Sequence, residues 1–368
     1  RSTIVLLKER PGFEVSLWAG GMHLKERFGS SIDLIRQDDI GIARELDFLS
    51  EPPEPVLDTG RALGMIGAAL ECDRPWAIML VGDRTETLAA GLAATLARVP
   101  VIHIHGGEES EGAVDNACRH ALTKLSHLHL VSHQRHADRI IQMGEDPHAV
   151  IVVGAPALDN LYRPDLPSVQ ELERDLGRAL APPLVLVTMH PTTLGADPEA
   201  EVAALGDALT QVAATYLITQ PNADAGGKTI RDYWSRFAAG KENVILVDVL
   251  GEKRYWALLR SADVLVGNSS SGIIEAPAVG MPVVNVGDRQ NGRLRYGQVI
   301  DVRAEKHEIA SALRQALAHP VRDKVRRDKV YADGPAAPRI VAALEAWGIA
   351  ERPRKRFYDL PCPVGELF

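Results

Sequence analysis

The sequence has few cysteines and no long apolar run. Its 368 residues include three cysteines, Cys72, Cys118 and Cys362, which lie far apart. Because they form no C-x-x-C pair, neither a disulfide framework nor a thiolate zinc site is expected, and a reducing cytoplasm fits best. The longest apolar runs, such as Trp76 to Val81, are well short of the roughly 20 residues that span a bilayer. No transmembrane helix is therefore predicted.

An excess of positive charge is also missing. The 41 lysines and arginines are outnumbered by 49 aspartates and glutamates, which gives a formal net charge of -8 at pH 7. The body of the chain has no basic tract that could follow a phosphate backbone, so nucleic acid is not expected as a partner. Hydrophobic residues make up 46% and charged residues 24%, values typical of soluble globular proteins. The length suggests two such domains.

Short apolar runs alternate with amphipathic stretches, the pattern of β-α units that build a mostly parallel sheet. In the first half, strands are predicted at 14–18, 76–81, 100–105, 128–132 and 150–153, and helices at 60–71, 86–97, 112–124 and 134–143. In the second half, strands are predicted at 183–189, 216–219, 244–247, 264–266 and 283–286, and helices at 198–213, 229–237, 253–261 and 273–279. The sequence therefore predicts an α/β protein with two Rossmann-like domains.

The two predicted domains are joined by a proline-rich connection, residues 163–183, which surrounds a charged helical piece. The first domain is expected to span 1–165 and the second 183–345. Residues 346–368 form a tail that includes Arg-Pro-Arg-Lys-Arg-Phe. This tail is either solvated or a strap that returns to the first domain.

Polar residues that secondary structure does not require follow the predicted strands of both halves. They lie at 82–84, 105–108, 189–191, 221–224, 268–272 and 287–289. In doubly wound folds, ligands bind at the carboxyl ends of the parallel strands. Because two such domains would face one cleft, we expect the chemistry to take place there.

A run of serines marks one of these strand ends. Asn268-Ser269-Ser270-Ser271-Gly272 precedes an apolar helical run, so its hydroxyls and N–H groups predict an anion site at a helix N-terminus. The alternative, an ordinary serine N-cap, needs only one serine. Glu275 lies one turn further, where it can accept the paired hydroxyls of a ribose or simply be a solvated charge. Arg289, with Arg293 and Arg295 behind it, adds guanidinium donors suited to phosphate.

Three carboxylates are expected around the same cleft. Asp83 ends a strand, Glu108 follows a glycine pair, and Asp115 lies in the first turn of a helix. Repulsion and burial should raise the pKa of at least one of them, as a general acid or base at neutral pH requires. The alternatives are a helix cap for Asp83 and, since Glu111, Asp115 and Arg119 recur every four residues, an exposed stripe of ion pairs.

Histidines occur on both predicted walls. His190 ends the first strand of the second domain and is expected to face the carboxylates. His103 and His105 lie on the same side of a strand predicted to be buried. An H-x-H pair can bind metal, but no third ligand follows at an ordered spacing, so no metal site is predicted and His103 is interpreted as a hydrogen-bonded core residue. Carboxylates on one wall and anion donors on the other indicate a nucleotide-linked substrate.

The ordered motifs resemble those of hydrolysing UDP-N-acetylglucosamine 2-epimerases, the sialic and legionaminic acid branch of the UDP-N-acetylglucosamine 2-epimerase family. The resemblance spans almost the whole chain. It is carried by Gly20-Gly21-Met22-His23-Leu24, Gly82-Asp83-Arg84, His105-Gly106-Gly107-Glu108, Glu111-Gly112-Ala113-Val114-Asp115, Arg119-His120, Val153-Gly154-Ala155-Pro156, Met189-His190-Pro191, Pro221-Asn222-Ala223-Asp224-Ala225-Gly226, Asn268-Ser269-Ser270-Ser271-Gly272, Asn285-Val286-Gly287-Asp288-Arg289 and Phe357-Tyr358-Asp359. Any one of these motifs alone would be weak.

The resemblance implies a GT-B-like fold in which the second domain holds UDP and the first faces the sugar. It implies removal of the C2 proton of UDP-N-acetylglucosamine, loss of UDP to leave 2-acetamidoglucal, and addition of water to release N-acetylmannosamine. Neither a redox cofactor nor a metal is implied, and a cytoplasmic homodimer or homotetramer is expected. The residues that match the acid and base groups are Asp83, Glu108 and Asp115, with His190 near the diphosphate. Those that match substrate contacts are Arg84, Asn222, Ser269, Ser270, Ser271, Gly272, Glu275 and Arg289.

One feature departs from the family pattern, and a second distinguishes the two branches of the family. The family opens with an apolar strand and a Gly-Thr-Arg loop, whereas Arg1-Ser2-Thr3 here begins a helical run. The first strand is therefore expected to be missing, which would leave a sheet edge unpaired and suggests that residues precede Arg1. The branch that retains UDP-sugar has Ala-Gly-Leu-Arg-Thr where this chain has His-Gly-Gly-Glu-Glu at 105–109, which favours hydrolysis.

Three alternatives stay open at this point. A GT-B glycosyltransferase would share both sheets and the nucleotide wall, but it needs no base at C2, so the three carboxylates favour the epimerase. A non-catalytic nucleotide-sugar sensor would be excluded by turnover. A nucleotide-linked 2,4-diacetamido-2,4,6-trideoxyhexose is the alternative substrate for the same reaction.

Overall fold

The computed structural model describes residues 1–26, 31–38, 40–111, 114–192, 197–221, 226–318, 331, 334–348 and 354–360. In the first half, the elements are α1 Ser2–Lys8, β1 Trp18–Gly20, α2 Ile32–Gln37, β2 Arg44–Leu46, α3 Pro55–Asp73, β3 Ile78–Val81, α4 Thr85–Leu96, β4 Val101–Ile104, α5 Asp115–Leu125, β5 Leu128–Val131, α6 Gln134–Gln142 and β6 Val150–Val152. None of the described helices, in either half, is both long and apolar enough to cross a membrane.

The second half continues the alternation. Its elements are α7 Val169–Leu176, β7 Leu184–Thr188, α8 Pro198–Leu209, β8 Thr215–Thr219, α9 Gly227–Ala238, β9 Val244–Val247, α10 Gly251–Ser261, β10 Val264–Gly267, α11 Ser271–Ile274, β11 Val283–Val286, β12 Val299–Val302, α12 Lys306–Ala318 and α13 Ala336–Trp347. Short 3-10 helices lie at Gly21–Leu24, Pro147–Ala149, Pro156–Tyr162 and Pro277–Val279.

The strands form parallel sheets in both halves. The first sheet has the order β3-β4-β5-β6, and the second has the order β12-β11-β10-β7-β8-β9. β7 and β10 are buried along their whole length because helices cover both faces of their sheet. This burial explains why they appear in the sequence as continuous apolar runs. The carboxyl ends of β7, β10 and β11 therefore lie at one edge of the second sheet.

The first half differs from the prediction in its opening strands. A strand was expected at 14–18, but β1 begins at Trp18 and pairs with β2, which was not predicted, in a separate two-stranded sheet. Among the described residues, β3 pairs only with β4, and Val81 is 57% exposed. The short β2 strand and its half-exposed side chains give too weak an alternation to be recognised in the sequence.

The second half also departs from the prediction at one helix. A helix was expected over 273–279, but α11 has four residues and a 3-10 turn follows at Pro277–Val279. Pro277 has no backbone N–H to donate to the preceding turn, so an α-helix cannot continue through it undisturbed. β12 and α12 were not predicted at all.

The C-terminal residues return to the first half. α13 packs on the first sheet, where Ile340 and Leu344 share a buried cluster with Ile102 and Leu128. The sequence had placed residues up to 345 with the second domain; the domain boundaries themselves stay predictions. Beyond α13, residues 354–360 also lie against the first half, because the Tyr358 amide donates to the Gly144 carbonyl at 2.9 Å.

The tail is held mainly by charge. Lys355 donates to the Ser126 carbonyl at 2.5 Å and forms an ion pair with Glu145. Glu145 is 3% exposed and also receives Lys124 at 2.5 Å and His129 at 3.1 Å. Hydrogen bonds from His129, Lys124 and Lys355, together with the charge of Lys355, outweigh the effect of burial and lower the pKa of Glu145 to about 2. Lys355 and Tyr358 therefore attach the described part of the tail to the first half, while most of its residues are exposed to solvent.

Candidate active site

A left-handed turn after β4 places Glu108 in the protein interior. His105 has a φ of 68° and Gly107 a φ of 74°. A Cβ atom on Gly107 would collide with the His136 carbonyl, so only glycine fits there. The turn also separates the two histidines of the H-x-H pair. His103 is buried with Nε2 2.8 Å from the Gly82 carbonyl, as expected for a core residue, whereas His105 lies beside Glu108.

The Glu108 carboxylate is surrounded by donors. His105 Nδ1 lies 2.7 Å from Oε1, and the Ser132 hydroxyl donates to the same oxygen at 2.8 Å. Arg293, which follows β11 in the second half, donates to Oε2 at 2.5 Å. Glu108 is 3% exposed, so these partners compensate for the loss of water. The carboxylate is fixed from both halves of the chain.

At Glu108, this environment opposes the expected rise in carboxyl pKa. Burial acts to raise the pKa of Glu108, but His105 and Arg293 outweigh burial and hold its pKa well below the usual range. The prediction counted the carboxylates and did not include the positive groups that face them. In the second half, burial raises the pKa of half-buried Glu275.

Arg119 links Asp83 to the loop that carries Glu108. Its guanidinium forms an ion pair with Asp83 and donates to the Glu108 carbonyl at 2.9 Å and to the Ser110 hydroxyl at 3.1 Å. Burial, together with Arg293 and Arg139 nearby, lowers the pKa of Arg119 to about 9, so it is still charged at neutral pH.

Arg119 does not take part in the expected exposed stripe of ion pairs. Glu111 is exposed but precedes α5, whereas Arg119 is 1% exposed and pairs with Asp83. Sequence reasoning missed Arg119 as a site residue. The available signal was its position next to Cys118 and three residues before Leu122, both of which are on the buried side of the helix. Asp115 is half-buried at the first position of α5, one turn before Arg119.

The other wall is built from the strand ends of the second sheet. The His190 amide donates to the Asn268 side-chain oxygen at 2.7 Å, and the Asn268 amide group donates back to the His190 carbonyl at 2.8 Å. Arg289 donates to the carbonyls of Pro191 and Asn268, both at 3.2 Å. Three loops that are distant in sequence, after β7, β10 and β11, are thus brought together.

The serine run begins directly at this wall. Gly267 has a φ of 137°, and a Cβ atom there would collide with the Thr188 carbonyl, which allows β10 and β7 to approach closely. Ser270 is the N-cap of α11, and the Ser269 hydroxyl accepts from the Ser271 amide at 3.3 Å. The Ser271 and Gly272 amides, the first of the helix, donate to the Ser269 hydroxyl and carbonyl, so hydrogen bonds within the turn fix its shape. With four residues, α11 contributes a smaller dipole than the predicted helix would.

Glu275 and the Ser271 hydroxyl form a partly buried polar cluster with Tyr255. The Tyr255 and Ser271 hydroxyls are hydrogen-bonded, and Ser271 also interacts with Glu275. Burial raises the pKa of both Glu275 and Tyr255. Gly272 is buried on the same short helix. Glu275 is therefore half-buried and hydrogen-bonded rather than a fully solvated charge.

Two further predicted contacts are Arg84 and Asn222. Arg84 is the N-cap residue of α4 and donates to Glu86 at 2.7 Å, with 37% of its side chain exposed. Asn222 lies outside the described residues. The remaining predicted residues fall on two facing groups: Asp83, Glu108 and Asp115 on the first half, and His190, Ser269, Ser270, Ser271, Gly272, Glu275 and Arg289 on the second.

Residues 6–345 match the family model described as UDP-N-acetylglucosamine 2-epimerase. The chain belongs to this family. It is 33% identical over 319 residues to polysialic acid biosynthesis protein P7 of Escherichia coli, across 85% of this chain and 81% of that protein. It is 32% identical over 349 residues to the UDP-N,N'-diacetylbacillosamine 2-epimerase (hydrolyzing) of Legionella pneumophila, across 94% and 91% of the two chains.

A solved structure supports the fold of this family member. The UDP-GlcNAc 2-epimerase from Neisseria meningitidis, crystallised bound to UDP-GlcNAc, superposes with a TM-score of 0.75. The match has 18% sequence identity and covers 94% of this chain and 95% of that chain. The predicted architecture is confirmed: this 2-epimerase family member is GT-B-like, with two Rossmann-like domains.

Proposed function

We propose that this family member is a hydrolysing 2-epimerase that converts UDP-N-acetylglucosamine to N-acetylmannosamine and UDP. A carboxylate takes the C2 proton, the C2–H electrons form the C1=C2 bond of 2-acetamidoglucal, and the C1–O electrons leave with UDP. Water then supplies hydroxyl to C1 and a proton to C2 from the opposite face. The net reaction consumes one water, and its chemistry requires no redox cofactor or metal.

One observation carries this proposal. A single buried guanidinium, Arg119, connects Asp83 with the Glu108 loop, so two of the matched carboxylates lie together on the first wall. The opposite wall gathers Arg289, Asn268 and the His190 loop. Proton transfer at C2 and departure of a diphosphate from C1 require these two kinds of wall on either side of one sugar.

The residue roles follow from this division. We assign proton transfer to Asp83, Glu108 and Asp115, and place His190 beside the diphosphate. Arg289 and the Ser269–Gly272 turn are assigned to the diphosphate, Glu275 to the ribose hydroxyls, and Arg84 and Asn222 to further contacts. A glycosyltransferase would need the second wall but not the buried carboxylates of the first.

Hydrolysis rather than retention of UDP is supported by two observations. The loop at 105–109 differs from the Ala-Gly-Leu-Arg-Thr stretch of the UDP-sugar-retaining branch. Relatives of this chain include proteins described as hydrolyzing, at 32% identity. These same relatives favour a second candidate substrate, UDP-N,N'-diacetylbacillosamine, for the same reaction at the same site.

Incubation in deuterium oxide tests the mechanism. The protein is supplied with each UDP-sugar in turn, and the products are followed by NMR. We expect free UDP and a free sugar of inverted C2 configuration that carries deuterium at C2, because C2 loses and regains its hydrogen. Retention of hydrogen at C2 would exclude elimination, and a UDP-linked product would place the enzyme in the retaining branch. The faster of the two substrates identifies the sugar.

We also propose a cytoplasmic homo-oligomer, a homodimer or homotetramer. An apolar face on α3 and α4 supports it: Val56 is 84%, Leu57 57% and Leu96 71% exposed. Between these helices lies a groove of about 550 Å³ lined by Leu63, Gly64, Gly67 and other residues. Soluble monomers seldom leave such a face open to water. Light scattering gives the mass, and a monomer at micromolar concentration would contradict the proposal.

A further inference from the structure

One arginine reaches across the cleft to the carboxylate that the proposed reaction uses. Arg293 lies in the loop after β11 and belongs to the second half, yet it donates to Glu108 Oε2 at 2.5 Å and to the Ser110 hydroxyl at 3.0 Å. The loop itself also touches the first half, because the Glu111 amide donates to the Asn291 carbonyl at 3.2 Å. The side chains of Arg293 and Glu108 are 10% and 4% exposed.

The Glu108 carboxylate has donors at both oxygens. Oε1 receives the Ser132 hydroxyl and faces His105 Nδ1, while Oε2 receives Arg293. An ionised carboxylate only accepts hydrogen bonds, so this arrangement matches the ionised form. A proton on either oxygen would face a donor and would cost one of these bonds.

The other charged or titratable groups nearby do not replace Arg293. Arg119 and Arg139 donate to the main-chain carbonyls of Glu108 and Gly107 rather than to the carboxylate. His136 meets the carboxylate through Ser132, and burial lowers its pKa to about 4, so it is neutral near pH 7. The groups that face Glu108 from the surrounding elements are His105, Arg119, His136, Arg139, Arg293 and Tyr331. Of the described guanidinium groups, Arg293 alone is shown to bond the carboxylate oxygens.

We propose that Arg293 is a positioning residue: supplied by the second half, it holds Glu108 ionised and aligned, and so makes Glu108 the proton acceptor of the reaction. This inference rests on the proposed function. Glu108 begins the cycle as a carboxylate, accepts the C2 proton as UDP leaves, and becomes neutral. The acid form then loses its bond with Arg293, which favours release of the proton to water. Because Arg293 stays in place and favours the ionised form, Glu108 is a carboxylate again before the next turnover.

The pH profile of turnover tests the assignment. Arg293→Ala removes the cation, which should raise the pKa of Glu108. The acidic limb of the kcat/KM profile should therefore shift to higher pH by about 1 to 3 units. Arg293→Lys keeps the charge and should restore most of that shift. UDP affinity, measured by calorimetry, should change less than about threefold, because the contact is with Glu108 rather than with the nucleotide. Arg303→Ala, which removes an exposed arginine of the second half, is the charge control and should leave the profile in place.

The proposal is overturned if the acidic limb of the profile does not shift in Arg293→Ala, or if Arg303→Ala produces an equal shift.

A second test, without substrate, separates the pairing of Arg293 with Glu108 from the proposed function. The unfolding free energy of Arg293→Ala, Glu108→Gln and the double variant should show coupling, with the double variant less destabilised than the sum of the singles. Additive losses would mean that the pair does not interact. If the unmodified protein turned over none of the UDP-sugars, the proposed function would be wrong. The double-mutant cycle would still show whether Arg293 and Glu108 interact.

Discussion

Arg119 and Asp83 form an ion pair that joins the middle of α5 to the carboxyl end of β3. Through the same guanidinium, α5 also holds the Glu108 carbonyl and the Ser110 hydroxyl. Arg119 therefore ties Asp83 to the main chain of the Glu108 loop, while the Glu108 carboxylate itself is paired with Arg293. Without Arg119, Asp83 would lose the cation that compensates its partly buried charge.

Arg119→Ala should be strongly destabilising. It leaves Asp83 without its cation and removes three further hydrogen bonds, to the Glu108 carbonyl, the Ser110 hydroxyl and the Asn116 side chain. Since Asp83 is still 22% exposed, we expect a loss near the lower end of the range for broken buried pairs, about 3 kcal/mol. Urea unfolding gives the value. Arg36→Ala, which breaks exposed ion pairs with Asp33 and Glu45, should lose much less stability, and equal losses in the two variants would contradict the buried role.

Asp83→Asn, Glu108→Gln and Asp115→Asn should each lower kcat by on the order of 100-fold or more, because each removes a proton-transfer group while keeping its shape. UDP affinity should stay nearly unchanged, since the nucleotide wall is untouched. Steady-state kinetics and calorimetric titration of UDP measure the two effects. Asp232→Asn, on exposed α9, is the matched control. Near-normal turnover in any one of the three variants would leave that residue with a structural role.

Arg289→Ala should weaken UDP binding more than Ser270→Ala. Loss of a charge-assisted contact to phosphate costs roughly 1.5 to 3 kcal/mol, or about 10- to 150-fold in affinity, whereas a neutral hydroxyl contributes about 1 kcal/mol. Part of the arginine effect should appear in kcat, because the diphosphate is also the leaving group. Calorimetry with UDP compares both variants with Arg236→Ala on α9. Unchanged affinity in Arg289→Ala would place the nucleotide elsewhere.

His103 should make the fold less stable in acid. Burial lowers its pKa in the folded protein from 6.5 to about 4. As the pH falls below 6.5, the unfolded chain binds a proton at His103 before the folded chain does. Stability is therefore lost between pH 6.5 and about 4, at up to about 1.4 kcal/mol per pH unit from this residue.

Unfolding free energies measured over that pH range test the expectation. His103→Gln keeps a donor for the Gly82 carbonyl but cannot titrate, so its stability should fall less steeply with decreasing pH than that of the unmodified protein. His148→Gln, at an exposed position, should preserve the original slope. Parallel slopes for all three proteins would show that His103 does not control the acid sensitivity.

The sequence was sufficient for the α/β class and for most of the strands that carry the site. Runs such as Val264–Gly267 and Leu184–Thr188 are apolar throughout because both faces of the sheet are covered, and this pattern is local. The polar residues after those strands could be predicted to meet, since parallel strands end at one edge. The ordered motifs also indicated the family before any geometry was known.

The electrostatics of the site could not be predicted in this way. Glu108 and Arg293 are 185 residues apart in the chain, and Asp83 and Arg119 are 36 apart. The sequence predicted that the carboxylates would repel one another and that the pKa of at least one would rise. In the structure, Asp83 and Glu108 each form an ion pair with a guanidinium. A pKa depends on the charges within a few ångströms, and that distance is set by tertiary packing. The periodicity of the chain determined its strands, and its ordered motifs indicated its family. Only the folded molecule decided which charges face each other, because side chains that are far apart in sequence become neighbours only there.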